Sequence, residues 1–391
     1  MADIRVSRSL KIKEEVNVLF TYFMPTKIIA GDNAVSDNPD DLILGKKAII
    51  VTGKHSGKKS GALDDVTAVL EQNSVPYLVY DKIENNPSIE STAEGGEAAR
   101  SFGADFIIAI GGGSPLDAAK AIAVYAVNEP KEGSDFELYD IYGGKFRNKP
   151  LPMAAIPTTA GTGSEVTPYS ILTLHKEKNK KSFSSPDVFF KTAFLDGKYI
   201  VDLPVQVLRN TAVDALSHLI EGFTNKKSTP ASDYIALEGL RVLGNNIEIL
   251  KDGGPPIELC TDFLWAATLG GMVIAQTGTT IVHSMGYPLT YYKNIPHGMA
   301  NGLLLGEYMR RTDLEMPWKT DLYLEALNMD SIDQVCGLLK ALLPCDVVFT
   351  EEEITEWTKT TIQSKNVKVC PFDVTRELEI DIYRKCLLNR S

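Results

Sequence analysis

Phe106-Ile107-Ile108-Ala109-Ile110-Gly111-Gly112-Gly113-Ser114-Pro115-Leu116-Asp117-Ala118-Ala119-Lys120 reads as a buried strand running straight into a glycine turn and a helix. Residues 106 to 110 are apolar without alternation, the pattern of a strand covered on both faces in a parallel sheet. Three glycines let the backbone come close to an anion. Pro115 suits the first turn of a helix whose free N–H groups and dipole favour phosphate. A glycine tripeptide before a helix can be only a turn, but this one stands at the carboxyl end of a strand, where such sheets hold a pyrophosphate. It is neither the Gly-x-Gly-x-x-Gly fingerprint nor a P-loop.

The same alternation extends in both directions from this unit. Residues 47–52 and 76–80 read as strands, with helices expected over 64–72, 91–102 and onward from Pro115, and another strand over 152–156. This order predicts an α/β domain built on a parallel sheet with helices on its faces, a type of sheet that binds nucleotides at the carboxyl ends of its strands. Met24 to Gly31 is expected to add an edge strand. After Leu203-Pro204 the β-branched runs give way to segments rich in Ala, Leu, Glu and Met, punctuated by Pro204, Pro230, Pro255-Pro256 and Pro344. The expected division is therefore 1–200 for the α/β domain and 201–391 for an all-α domain.

A chain of 391 residues has room for about two domains, at roughly 100 to 200 residues each. Its 44% hydrophobic and 23% charged residues are those of a folded globular protein. A net charge of −11 argues against a nucleic-acid partner, whose phosphates call for basic patches. The stretch from Met1 to Val16 has basic residues but no apolar run, so no secretory leader is expected. The longest apolar stretch, about Phe263 to Ala275, is short for a bilayer and reads as a core helix rather than a membrane anchor. Cys260, Cys336, Cys345, Cys370 and Cys386 are odd in number and form no Cys-x-x-Cys pair, which points to reduced thiols in a cytoplasmic protein.

Two further loops bear on the nucleotide end. Pro157-Thr158-Thr159-Ala160-Gly161-Thr162-Gly163-Ser164-Glu165 follows a strand and is dense in hydroxyls and glycine, suited to phosphate, ribose or nicotinamide. The first strand ends in Gly53, followed by Lys54, His55, Ser56, Lys58 and Lys59. An acidic residue there would accept ribose hydroxyls and repel a 2′-phosphate. Gly53, Ser56 and Lys58 favour NADP(H) over NAD(H) instead.

The chain has five histidines, and three of them lie close to one aspartate in two short stretches. Asp214 and His218 stand four apart in VDALSH, on one face of a helix, and His283 and His297 follow in HSMGYPLTYYKNIPHG. One carboxylate and three imidazoles suit a divalent first-row metal.

GGGSPLDAAKAIA, PTTAGTGSEVTPYSILT, VDALSHLIEGF and HSMGYPLTYYKNIPHGMANGLLL together resemble the iron-containing (group III) alcohol dehydrogenases, in the right order over nearly the whole chain. Within that family the chain is most similar to NADP-dependent members acting on short-chain alcohols and diols, such as propanediol and butanol dehydrogenases. The resemblance implies the dehydroquinate synthase-like fold of that family, with its active site in the cleft between a Rossmann-like α/β dinucleotide-binding domain and a helical domain carrying the metal. It assigns Asp214, His218, His283 and His297 as metal ligands, Gly112, Gly113 and Ser114 to the pyrophosphate turn, and Thr158, Thr159 and Thr162 to the second cofactor loop. Asp117, in the same stretch as the turn, is a further cofactor-binding candidate. Lys180 falls where the family has a cofactor-contacting lysine, and Gly53 where NAD-preferring members carry aspartate. Fe2+ is the expected metal, although the same ligands accept Zn2+ or another divalent ion. A homodimer or larger homo-oligomer is also implied.

One position departs from the family. Many members have a histidine four residues after His283, proposed to relay the alcohol proton, and this chain has Tyr287. Either the tyrosine lines the pocket while water carries the proton, or its hydroxyl joins a relay. A phenol with an ordinary pKa near 10 favours the first. The pocket is expected to draw on Tyr287, Tyr291, Thr167 and Tyr169. The expected activity is reversible hydride transfer between NADP(H) and a small primary alcohol, diol or aldehyde. A glycerol dehydrogenase-like or dehydroquinate synthase-like enzyme and an inactive nucleotide-binding protein are the alternatives.

Overall fold

The computed structural model describes residues 19–133, 136–144, 146–177 and 179–388. The leader expectation for Met1 to Val16 lies outside them. The first half runs β1 (Lys27–Ala30), α1 (Pro39–Leu42), β2 (Ala48–Gly53), α2 (Ser56–Lys59), α3 (Ala62–Gln72), β3 (Tyr77–Ile83), α4 (Ile89–Phe102), β4 (Phe106–Gly111), α5 (Gly113–Val127), β5 (Met153–Pro157), β6 (Tyr169–Leu174), β7 (Asn179–Ser184) and β8 (Thr192–Leu195). The second half is helical: α6 (Val205–Thr224), α7 (Pro230–Asn246), α8 (Ile257–Thr277), α9 (Ile281–Lys293), α10 (His297–Glu315), α11 (Pro317–Ala326), α12 (Ile332–Leu342), α13 (Glu351–Thr361) and α14 (Arg376–Tyr383).

Six strands form one parallel sheet in the order β1-β8-β5-β4-β2-β3. Side-chain alternation splits its interior between two cores. Ile49, Val51, Ile107 and Ala109 join the cluster under α4 and α5, while Ala48, Ile50, Phe106, Ile108 and Ile110 join the one under α3. Every residue of β4 is buried, as its unbroken apolar run requires.

The strand order also locates a binding crevice. From β2 the chain moves outward to β3, whereas from β4 it moves the other way to β5. The direction therefore reverses between β2 and β4, whose ends are in register through Thr52 and Ile110. Ligands of open α/β sheets sit at such a switch point, outside the carboxyl ends of the strands. The loops found there begin at Gly53 and Gly111.

Several details differ from the sequence expectations. Helix α5 starts at Gly113, two residues before Pro115. A proline third in a helix sacrifices nothing, because the first four N–H groups have no intrahelical acceptor. The antiparallel β6–β7 hairpin and the interior strand β8 were not anticipated. Polar, lysine-rich β7 and four-residue β8 are too short or too hydrophilic to stand out by pattern. Helix α8 extends to 21 residues, long and apolar enough by composition to cross a membrane, so the length argument against a span does not hold. Its packing decides the matter: Phe263, Leu264, Ala266, Ala267, Leu269 and Val273 lie in the helical core with residues of α6 and α7. Cys260, Cys336 and Cys370 are free thiols.

Candidate active site

The turn from β4 into α5 and the threonine loop after β5 press against each other. A Cβ on Gly112 would lie 2.9 Å from Thr159 Oγ1, and one on Gly113 would lie 2.8 Å from Thr162 Cγ2, so only glycine permits this approach. Thr158 N donates to Gly111 O at 2.9 Å, and Thr158 Oγ1 is buried with no protein partner among the described residues. These residues line one end of the switch-point crevice. Ser114 Oγ accepts from Asn86 N at 3.1 Å, and Lys180 Nζ reaches Asn86 Oδ1 at 2.7 Å. Burial lowers the Lys180 ammonium to about 8 against a raising influence from Asp117. Gly53 ends β2 across the crevice, with Ser56 and Lys58 exposed beside it.

Asp117, a cofactor-binding candidate in the sequence, has both carboxylate oxygens engaged by protein donors. Ser164 Oγ donates to its Oδ1 at 2.5 Å and Ile171 N to its Oδ2 at 2.9 Å. Lys120, fully buried on the next turn, donates to Ser164 Oγ at 2.8 Å, Thr167 Oγ1 at 3.2 Å and Tyr169 O at 2.6 Å, with Asp117 at 3.6 Å. Asp117 and Lys120 thus tie the glycine turn to the threonine loop and to β6. The Lys120 ammonium 3.6 Å away offsets the Asp117 charge, which therefore adds little repulsion to a bound phosphate. Thr167 is taken up in the same network. Tyr169 donates its hydroxyl to Ile274 O at 3.0 Å, anchoring β6 to α8, so neither residue is free to face a substrate.

Asp214, His218 and Glu221 form one stripe of the buried helix α6, at i, i+4 and i+7. Asp214 Oδ1 is 3.8 Å from Nε2 of both His283 and His297, and the three ligand atoms lie within 4.8 Å of one another. His297 reaches this point because Gly298 lets the first turn of α10 lie against α6: a Cβ there would sit 1.8 Å from Asn210 O. His218 is outside that trio but adjacent, its ring stacked on that of His283 at 4.5 Å and 21°. Its Nδ1 meets Gly161 O at 3.2 Å, which leaves Nε2 for a ligand.

The donor set fits a cation. Asn301 Nδ2 donates to Asp214 Oδ1 at 2.9 Å and lies 3.2 Å from Nε2 of both His283 and His297. Its two hydrogens cannot serve three acceptors at once. Lone pairs left facing one buried point are what a metal ion would take up. Asn301 Oδ1 and His297 Nδ1 are themselves buried without protein partners among the described residues. Burial pushes His297 down to about 3, so its imidazole is neutral and able to ligate. Burial would raise the Asp214 carboxyl, but His218, His297, His283 and Asn301 together hold it below the usual carboxylate range.

Tyr287 lies over this cluster, its ring stacked on His297 at 5.7 Å and 17°. Tyr291, on the next turn of α9, packs edge-on against Tyr292 at 5.0 Å.

Sequence reasoning missed Lys120, Glu221, Asn301 and the carbonyl of Gly161. Two of these carried a signal, since Glu221 continues the Asp214–His218 stripe and Asn301 stands one helical turn after His297.

A switch-point crevice of the kind that holds a nucleotide, beside an aspartate–histidine cluster, is the layout of a nucleotide- and metal-dependent enzyme. Family comparison sharpens this. Residues 25–197 match the iron-containing alcohol dehydrogenase model, and residues 209–385 match the C-terminal model of the Fe-containing alcohol dehydrogenase family. The chain belongs to the iron-containing alcohol dehydrogenase family and is an oxidoreductase of that kind. It is 31% identical to 1,3-propanediol dehydrogenase of Citrobacter freundii over 77% of each chain. It is 29% identical to NADPH-dependent butanol dehydrogenase of Clostridium saccharobutylicum over 83% of this chain and 84% of that one. The solved structure of an iron-containing alcohol dehydrogenase from Thermotoga maritima is 38% identical and superposes with a TM-score of 0.86, covering 94% of this chain and 99% of that one.

Proposed function

We propose that this protein reversibly transfers hydride between NADP(H) and a small primary alcohol, diol or aldehyde, with Asp214, His218, His283 and His297 holding a divalent metal, ferrous iron by family expectation. The observation that carries this reading is the convergence of the Asp214, His283 and His297 ligand atoms on one buried point beside the crevice. When bound, the metal supplies Lewis acidity toward the substrate oxygen, and the nicotinamide supplies or accepts the hydride.

The chain's own residues do the rest. Gly112, Gly113 and Ser114 present backbone and hydroxyl donors to the pyrophosphate. Thr158, Thr159 and Thr162 orient the part of the dinucleotide nearer the cluster, and Lys180 supplies a cation beside it. Tyr287 closes the pocket over His297 and excludes water from that side, while a water carries the alcohol proton out. A strand end at Gly53 without a carboxylate, next to Lys54, Ser56, Lys58 and Lys59, supports NADP(H). The NADPH dependence in the name of the Clostridium relative agrees with it.

Assembly as a homodimer or larger homo-oligomer is part of the proposal. Edge strand β1 supports it, and the segment leading into that strand exposes Phe20 and Phe23. The free thiols of Cys260, Cys336 and Cys370 suit a reducing cytoplasm.

The test is elemental analysis of anaerobically purified protein, followed by NADPH oxidation at 340 nm with butanal and 3-hydroxypropanal after reconstitution with each candidate metal. Stoichiometric metal and turnover are expected in the native protein, with both lost in His283→Ala and His297→Ala. Full turnover by a metal-free variant would overturn the scheme.

A further inference from the structure

Glu221 lies one turn beyond His218 on α6 and is completely buried. Its Oε1 accepts from Thr280 N at 2.8 Å, Thr280 Oγ1 at 2.6 Å and Val282 N at 3.1 Å, and its Oε2 contacts His283 Nδ1. Thr280 is the N-cap residue of α9 but makes no side-chain cap of its own. Glu221 therefore caps α9 from another helix and grips the third residue of that helix, His283, with the same carboxylate.

We infer that Glu221 is a positioning residue that fixes His283 with its hydrogen on Nδ1 and its lone pair on Nε2, the form able to ligate. This inference rests on the metal reading above. Both backbone amides facing Glu221 can only donate, the Thr280 hydroxyl donates here, and an ionised carboxylate can only accept. The ring nitrogen facing Oε2 must then carry a hydrogen. The other nitrogen, Nε2, faces Asn301 Nδ2, which can only donate, so in the neutral ring its lone pair points there and toward Asp214. Carboxylate–histidine pairs of this kind set tautomer and ring orientation in metal sites. Here the same carboxylate also holds the start of the helix that carries the ligand, so ring orientation and helix position are set together.

An amide of the same shape separates these duties. In Glu221→Gln, one oxygen and one NH2 replace two oxygens. Keeping the oxygen on Thr280 N and Val282 N turns the NH2 toward His283. Nδ1 must then accept, the ring hydrogen moves to Nε2, and the ligand lone pair is lost. The opposite amide orientation would set NH2 against two backbone N–H groups, which is worse.

The experiment uses the full chain. Co2+ and Zn2+ affinities are measured by chelator competition for wild type, Glu221→Gln and Thr280→Val, with apo-protein melting curves for each. Nitrogen-15 imidazole spectra assign the His283 tautomer, which is practicable with five histidines in the chain. Glu221→Gln should weaken metal binding by about 100-fold and move the His283 hydrogen to Nε2. Thr280→Val, which loses a donor to Oε1 but leaves Oε2 on His283, should lower the melting temperature and keep the metal affinity. Wild-type affinity in Glu221→Gln, or an Nε2-protonated His283 in wild-type apo-protein, would overturn the inference. Should Glu221→Gln fail to fold, the wild-type tautomer alone decides. A wild type that binds no divalent ion would overturn the metal reading instead, and the tautomer would still judge Glu221.

Discussion

His218 Nδ1 lies 3.2 Å from the carbonyl oxygen of Gly161, so a side chain of α6 and the backbone of the threonine loop share one hydrogen bond. A dinucleotide that orders this loop also orients His218, and an ion that orders His218 also steadies the loop. Such coupling is reciprocal. Zn2+ should bind about tenfold more tightly to protein saturated with NADP+, and NADP+ should gain the same factor from Zn2+. Calorimetric titrations in both orders measure the two factors, and independent binding of the two ligands would contradict the coupling.

Cofactor choice should turn on Gly53. A Cβ there would lie 3.1 Å from Ser56 Oγ, a contact that a serine rotamer change relieves, and at an ordinary 3.5 Å from Ile83 O. Gly53→Asp should therefore fold normally while placing a carboxylate against a 2′-phosphate. The ratio of kcat/KM for NADPH to that for NADH should fall by about 100-fold, roughly 2.7 kcal/mol. An unchanged ratio would remove Gly53 from the account of specificity.

Lys180 gives a pH dependence with a defined sign. Burial lowers its ammonium to about 8, so it is cationic below that pH and neutral above it. Affinity for NADP+ should fall by roughly tenfold between pH 7 and pH 9, a loss of about 1.4 kcal/mol as one charge disappears. Lys180→Met should bind weakly throughout and show no inflection near 8. Stability moves oppositely: the folded value lies below the unfolded value of 10.5, so the unfolded chain binds more protons between the two. Lys180 therefore adds stability as pH rises through that window, and urea midpoints at pH 8 and pH 10 in wild type and Lys180→Met would register it.

Burial, followed by the carboxylates of Glu221 and Asp214, raises the Tyr287 hydroxyl well above its ordinary value. It stays protonated at neutral pH and is a poor proton acceptor. Tyr287→Phe should keep kcat within about threefold, well short of the 100-fold or greater loss typical of removing a general acid or base. Tyr287→Ala uncovers His297 and should raise kcat/KM for branched aldehydes relative to propanal. A hundredfold drop in kcat for the phenylalanine variant would place the hydroxyl in the proton relay.

What could be read in the sequence follows from how local each signal is. Strand β4 and its glycine turn were legible because unbroken burial and φ-permissive residues leave marks on adjacent positions. Asp214 and His218 were legible through helical spacing, and His283 and His297 through the scarcity of histidine. Lys120 was not, because a lysine on an otherwise apolar helix gives no sign of the Ser164, Thr167 and Tyr169 partners waiting 44 to 49 residues away. The roles expected of Asp117, Thr167 and Tyr169 shifted for the same reason: their partners are fixed only when β6 folds back onto α5 and α8. Glu221 was within reach, but its meaning depends on Thr280, Val282 and His283 arriving from a helix 59 to 62 positions on.

Helix α8 has a consequence for how the chain is made. Its 21 residues are apolar enough to suit a bilayer, yet its principal neighbours, α6, α7 and the loop carrying Glu165, all precede it in the sequence. During synthesis from the N-terminus, its cover is already outside the ribosome when this helix emerges. A permuted chain that began between α7 and α8 would present the same helix first, with nothing to receive it, to whatever greasy surface lay nearest.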